Sequence, residues 1–137
     1  MMGRTHCLVP AALAAWLFGP DPTILLISAG TGLLPDIDEP QSTIGYRLFL
    51  LAKGFKGLVG HRTYSHSLVG IVTAASLAVI FDLPWIWIEA GLIGWVSHLV
   101  LDALSGGVPL WWPLYATNRE RLVLARWKPF GFADHLI

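Results

Sequence analysis

The sequence predicts an all-α fold: a small polytopic membrane bundle of about four short hydrophobic helices plus one interfacial amphipathic helix. Three observations lead there. Hydrophobic residues make up 55% of the chain and charged residues only 13%, which leaves too little polar surface to cover a water-soluble domain of 137 residues. Four apolar stretches, roughly 5–19, 22–34, 64–81 and 85–104, are each long enough for several helical turns. Proline-bearing breaks separate them, Gly19-Pro20-Asp21-Pro22 in the first pair and Phe81-Asp82-Leu83-Pro84 in the second. Proline lacks a backbone donor and restricts the residue before it, so the stretches pair into two hairpins.

The first stretch follows Arg4 and runs from Cys7 to Phe18, a pattern shared with signal peptides. It ends in Gly19-Pro20-Asp21-Pro22 without a small-x-small cleavage site, and a second apolar run begins at once. A retained first helix is therefore expected. The second stretch is short, because a hydrocarbon core of about 30 Å requires about 20 helical residues. Either the bilayer thins around the protein or the first hairpin enters it only partway. Trp85, Trp87, Trp95, Trp111 and Trp112 fit an interfacial aromatic belt, and packing inside the protein explains any one of them equally well.

Between the hairpins, segment 35–63 carries Arg47, Lys53 and Lys56 among Leu48, Phe49, Leu50, Leu51, Phe55 and Leu58, the composition of a helix lying in the membrane interface. With four crossings, both termini and this segment share one side. All nine Lys and Arg residues then lie there, which makes that face cytoplasmic by the positive-inside rule. The length accommodates a single domain, 1–137, and no internal repeat is visible. The hydrophobic composition makes membrane lipid the expected partner, and a net charge of zero gives no reason to expect nucleic acid. The single cysteine, Cys7, excludes an intrachain disulfide framework and a cysteine-based zinc finger.

The same topology sorts the ionisable residues. His6 opens the first helix, Asp36 and Asp38 follow the second, His61, Arg62 and His66 precede the third, and His98 and Asp102 lie near the end of the fourth. All fall towards one face. An unpaired charge in hydrocarbon costs at least about 2.5 kcal/mol, so such residues pair, bind something or line a cavity.

His98 and Asp102, four residues apart, project from one helix face. They can share a metal, or the carboxylate can fix the imidazole tautomer; for the pair in isolation a structural hydrogen bond is the commoner outcome. Asp36-Ile37-Asp38 stands between Pro35 and Glu39-Pro40, and hard oxygen ligands on such a constrained turn suit a divalent cation, although most isolated motifs of this kind are solvated acids. Glu39 and Asp21 read as solvated. In His61-Arg62-Thr63-Tyr64-Ser65-His66-Ser67, Thr63 or Ser65 is placed to cap the third helix. Neutral imidazoles are also good zinc ligands, and Arg62 can grip an anionic oxygen bidentately. That combination favours a site over a cap.

These residues in this order resemble the YdjM-type family of membrane-bound metal-dependent hydrolases, also described as inner-membrane proteins. The resemblance runs from Thr5-His6 through LLPDIDEPQS (33–42), GHRTYSHSL (60–68), GWVSHLVLDALSGGVPLWWP (94–113) and RLVLARW (121–127), nearly the whole chain. The ordered set is specific where its short pieces are not. It implies His6, Asp36, Asp38, His61, His66, His98 and Asp102 as metal-binding positions, with Arg62 and Ser97 accompanying them. Two departures stand out: Ser65 where threonine is expected, and Glu39 where histidine is frequent.

The implied chemistry is hydrolysis of a phosphoester or lipid-linked substrate with one or two divalent ions, zinc or manganese. Arg62 would hold a phosphate oxygen, and Asp38 or His66 would serve as base. Segment 43–60 would rest on the bilayer and admit a lipid, with Trp111 and Trp112 lining the entrance. The competing expectation is a metal-binding membrane protein without turnover, which needs the same ligands but no open coordination position. Transport fits less well, because the candidate ligands gather at one face instead of near the midplane.

Overall fold

A computed structural model describes residues 3–38, 64–114 and 122–123. The expectations placed on 39–63, including the amphipathic segment, Glu39, His61, Arg62 and Thr63, lie outside the described residues, as does most of the RLVLARW tail. The described residues are all-helical: α1 (Gly3–Phe18), α2 (Pro22–Thr31), a 3-10 turn (Leu34–Asp38), α3 (Leu68–Ile80) and α4 (Trp85–Ser105). One antiparallel bridge, Val108 to Leu122, ties the chain beyond α4.

Local chemistry sets these boundaries. The Asp21 carboxylate accepts hydrogen bonds from Thr23 N (2.8 Å) and Ile24 N (3.1 Å), and Pro22 occupies the first helical position, where a missing N–H costs nothing. Asp21 is thus a helix cap and not merely a solvated acid. At α3 the cap is Ser67, not Thr63 or Ser65 as the sequence suggested: its Oγ accepts from Gly70 N and donates to Tyr64 O. The helix starts only at Leu68, so residues further upstream lie too far from the orphan N–H groups to cap it.

At 1.5 Å per residue, α2 is about 15 Å long, α3 about 20 Å and α4 about 32 Å. Among the described residues, α4 is the one helix long and apolar enough to cross a membrane, with a mean hydropathy of 1.3. α2 and α3 are shorter apolar helices. The helices carry no polar stripe; α3, LVGIVTAASLAVI, is apolar all round.

Residue size is distributed as lipid solvation requires. The fully buried side chains include His6, His66, His98, Ser28, Ser67, Pro10 and Pro35, whereas Trp16 (81% exposed), Leu26 (74%), Ile80 (73%), Phe81 (74%) and Trp85 (70%) cover the outside. Small and polar groups face the protein, and large apolar ones face outward. Trp95 departs from the belt reading: it is half-buried, and its Nε1 donates to Ser65 O at 2.9 Å.

α4 is the central element and packs on all three other helices, closest on the α1–α2 hairpin. Small residues allow that closeness. A side chain at Gly94 would strike Thr31 Oγ1, Ser28 O and Gly32 N, and one at Gly32 would strike His6 O and Pro10. Ser28 Oγ also donates to Pro10 O at 3.0 Å across the α1–α2 interface. Ala14, Ile24 and Ala90 form a core between these three helices, while Leu99, Ala103 and Val108 form another, with Ile71 of α3 packed against it. The up-and-down order brings the start of α1, the end of α2, the start of α3 and the end of α4 to one end of the bundle.

Candidate metal centre

At that end five of the residues singled out from the sequence converge: His6, Asp36, His66, His98 and Asp102. Each is buried, with at most 6% of its surface exposed. His66 Nε2 and His98 Nε2 are 3.3 Å apart. Asp102 Oδ2 lies 3.4 Å from the first and 3.6 Å from the second, and Asp36 Oδ1 lies 3.8 and 3.7 Å from them. The four residues each offer one ligand atom within 4.8 Å of the others. A tetrahedral ion with ligands at about 2.0–2.2 Å holds them about 3.3–3.6 Å from one another, close to these separations.

Hydrogen bonding around the cluster orients its lone pairs. His98 Nδ1 donates to Gly32 O at 2.7 Å, since a carbonyl can only accept. The neutral ring therefore carries its proton on Nδ1 and turns the Nε2 lone pair inward, where it meets carboxylate oxygens of Asp36 and Asp102. Acceptor facing acceptor in a buried site is repulsive unless a cation or a proton lies between them. His66 is held likewise, its Nδ1 in a 2.9 Å hydrogen bond with Ser65 Oγ and its Nε2 towards the same point. Both arrangements are those by which outer partners orient histidine ligands.

His6 stands beside this set. Its ring lies against His98, with centroids 4.0 Å apart, and its Nε2 is 3.3 Å from Asp102 Oδ1. Its Nδ1 is buried with no hydrogen-bond partner. The two oxygens of Asp102 thus face different histidines. At 3.6 Å the His98–Asp102 contact is too long for a hydrogen bond, and it is the Gly32 carbonyl that fixes the His98 tautomer.

Of the remaining candidates, only Ser97 has a side chain among the described residues. The backbone of Asp38 closes the 3-10 turn that presents Asp36, and its side chain is outside the described residues, as are His61 and Arg62. Ser97 Oγ donates to Gly94 O within α4, away from the cluster. Three contributors escaped the sequence reading: the Gly32 carbonyl, the Ser65 hydroxyl and Trp95, which pins Ser65 from α4. The spacing Ser28-x-x-x-Gly32 was the available signal for the first, since small residues one turn apart mark close helix approach.

Ser65→Ala is expected to weaken divalent-metal affinity about tenfold, as loss of an outer partner does, with the helical content unchanged. Titration calorimetry in detergent checks it, and undiminished affinity would show that the hydroxyl does not orient His66.

The fold and the site together define a class: small helical membrane proteins with a buried His/Asp cluster able to hold a metal ion. The chain belongs to the YdjM inner membrane protein family, whose model matches residues 1–137. It is 36% identical over 143 residues to the uncharacterized protein YvsG of Bacillus subtilis, an alignment covering 100% of this chain and 87% of the relative. It is also 38% identical over 91 residues to the inner membrane protein YdjM of Escherichia coli and to that of Shigella flexneri, in each case covering 61% of this chain and 45% of the relative. No solved structure matches it.

Proposed function

We propose that this protein is a membrane-embedded, metal-dependent hydrolase acting on a phosphoester or lipid-linked ester. The observation that carries the reading is the inward convergence of two imidazole nitrogens and two carboxylate oxygens in a buried site. Zinc and manganese both suit such a mixed set, zinc through the imidazoles and manganese through the carboxylates. Asp36, His66, His98 and Asp102 would hold the divalent cation, which would supply Lewis acidity towards an ester oxygen and lower the pKa of water. His6 and the outer oxygen of Asp102, with Asp38 and His61, would serve a second ion. Arg62 would grip an anionic oxygen of the substrate, and Asp38 would accept the proton of the attacking water, since His66, with Nε2 towards the ion and Nδ1 paired with Ser65 Oγ, has no free lone pair for it.

In this reading the chain crosses the membrane several times, with the site at the cytoplasmic face. In the sequence, all nine Lys and Arg residues lie outside the two turns that would face the opposite side, which supports the orientation. Helices shorter than the bilayer are accommodated by local thinning.

One observation favours a second reading, a metal-binding protein without turnover. Four buried protein groups are enough to fill a tetrahedral ion's coordination, and structural sites are closed whereas catalytic ones keep a position open. The experiment that separates the two is metal analysis of the purified protein together with hydrolysis of phosphodiester and phospholipid panels, using Asp36→Asn and His98→Ala as controls. Hydrolysis that follows bound metal and disappears in both variants is the expected result. Bound metal without hydrolysis of any ester supports the second reading, and absence of metal sinks both.

A further inference from the structure

An apolar groove runs between α2, α3 and α4, which the function above does not use. α3 packs on α4 but stands away from α2, and the gap of about 270 Å³ is walled by Ile27, Ala74, Ala75, Ala78, Trp87 and Trp95, among others. Its polar contribution is slight.

Its two ends differ. Leu83 and Trp87 line the far end, near the α3–α4 turn. At the near end stand Thr31, Leu34 and Trp95, each one step removed from a residue of the His/Asp cluster. Thr31 precedes Gly32, whose carbonyl holds His98; Leu34 begins the turn that carries Asp36; Trp95 donates to Ser65 O beside His66. The groove therefore leads away from the cluster along the axis of α4.

We infer that this groove seats one alkyl chain of a membrane lipid whose ester headgroup lies at the His/Asp cluster. The inference rests on the hydrolase reading above. The lining is almost wholly apolar, and among the described residues Thr31 at the near end is its one hydroxyl side chain. The outer faces of α3 and α4, with Val72, Ile80 and Val96 exposed, require lipid around them, so the groove draws its occupant from the same surroundings. Trp87 and Trp95 are separated by about 12 Å of helix rise. A zigzag of carbon–carbon bonds advances about 1.25 Å per carbon, so the groove takes a chain of about ten carbons. The small side chains of Ala74, Ala75 and Ala78 leave the width for it. The groove would thus select substrates by one chain's length.

The test uses the full-length, metal-loaded protein in lipid nanodiscs and non-hydrolysable alkyl phosphonates carrying a photoreactive diazirine at the chain terminus. Mass spectrometry then locates the label. A chain of about ten carbons is expected to label Ala78, Leu83 or Trp87, and a chain of about four carbons Ile71 or Trp95, as the rise per carbon requires. Ala75→Trp places an indole across the groove and is expected to cut distal labelling at least about tenfold by steric exclusion, with metal content unchanged. Ala78→Trp, which blocks only the far half, is expected to move the label of the longer chain towards Ile71, and it serves should Ala75→Trp fail to fold. Label spread over Leu13 and Val96 on the α1–α4 side, or insensitive to both variants, overturns the inference. Labelling needs no turnover, so the two readings fail separately. Groove labelling without ester hydrolysis upholds the seat and removes the enzyme; hydrolysis of short soluble esters without groove labelling does the reverse.

Discussion

Asp102→Asn is expected to abolish stoichiometric metal binding. Asp102 is the residue on which the cluster depends most, because its two oxygens reach three histidines: Oδ1 faces His6, and Oδ2 faces His66 and His98. Replacing the carboxylate with an amide keeps the shape but removes the negative charge and substitutes N–H donors for one acceptor. Loss of an outer-shell partner costs about 10–100-fold in affinity, so loss of a ligand that also organises three others should exceed about 100-fold. Metal content after dialysis, with affinity by calorimetry, measures it. Stability reports the same event independently: a bound ion stabilises the folded state by about 2.7 kcal/mol at a hundred times its dissociation constant, so metal addition should raise the unfolding midpoint of the wild type and not of Asp102→Asn. Asp21→Asn is the control, since Asp21 caps α2 at the opposite end of the bundle. If Asp102→Asn binds metal like the wild type, Asp102 is not a ligand, and the ion is not held at the point where Asp36, His66, His98 and Asp102 converge.

The site was legible in the sequence because the membrane removes alternatives. A histidine and an aspartate one turn apart in an apolar helix cannot be answered by water, so His98 and Asp102 had to meet partners, and the up-and-down order left His6, Asp36 and His66 to supply them. The two proline-bearing breaks were legible for a similar reason, since a missing donor and a forbidden backbone region act locally. What the sequence did not reveal depends on distance in space. The stretch 22–34 reads as one helix, yet α2 stops at Thr31, where Gly32 turns its carbonyl to His98, a residue 66 positions away. Ser67 caps α3 in place of Thr63 or Ser65 because the helix starts only at Leu68, and nothing in the spacing distinguishes three hydroxyl residues at alternate positions. Likewise, the division of Asp102 between His6 and the other two histidines follows from how closely α1 approaches α4. That approach is set by glycines whose role appears only when the helices are packed.

Gly94→Ala and Gly91→Ala, one helical turn apart on α4, are expected to act in opposite directions. In an exposed helix interior alanine is favoured over glycine by about 0.8–1.0 kcal/mol, so propensity alone would make both substitutions stabilising. At Gly91 the added methyl meets only Thr31 Cγ2, at an ordinary 3.5 Å, and the propensity gain should survive. At Gly94 it would overlap Thr31 Oγ1 and also Ser28 O and Gly32 N, which are backbone atoms and cannot rotate away. α2 would have to withdraw from α4. Overpacking a close contact costs about 1–3 kcal/mol and more where backbone must move, so a net loss of about 2 kcal/mol or more is expected. The displacement also has a chemical readout, because Gly32 holds the His98 ring. Withdrawal of α2 lengthens the bond from His98 Nδ1 to Gly32 O and moves Asp36 with the turn that follows. Gly94→Ala should therefore weaken metal binding although it touches no ligand, and Gly91→Ala should leave it intact. Thermal unfolding in detergent and metal titration of both variants provide the comparison. Equal stability and equal metal affinity for the two would mean that α2 and α4 are not packed through Gly94, and that the geometry placing Gly32 against His98 is wrong.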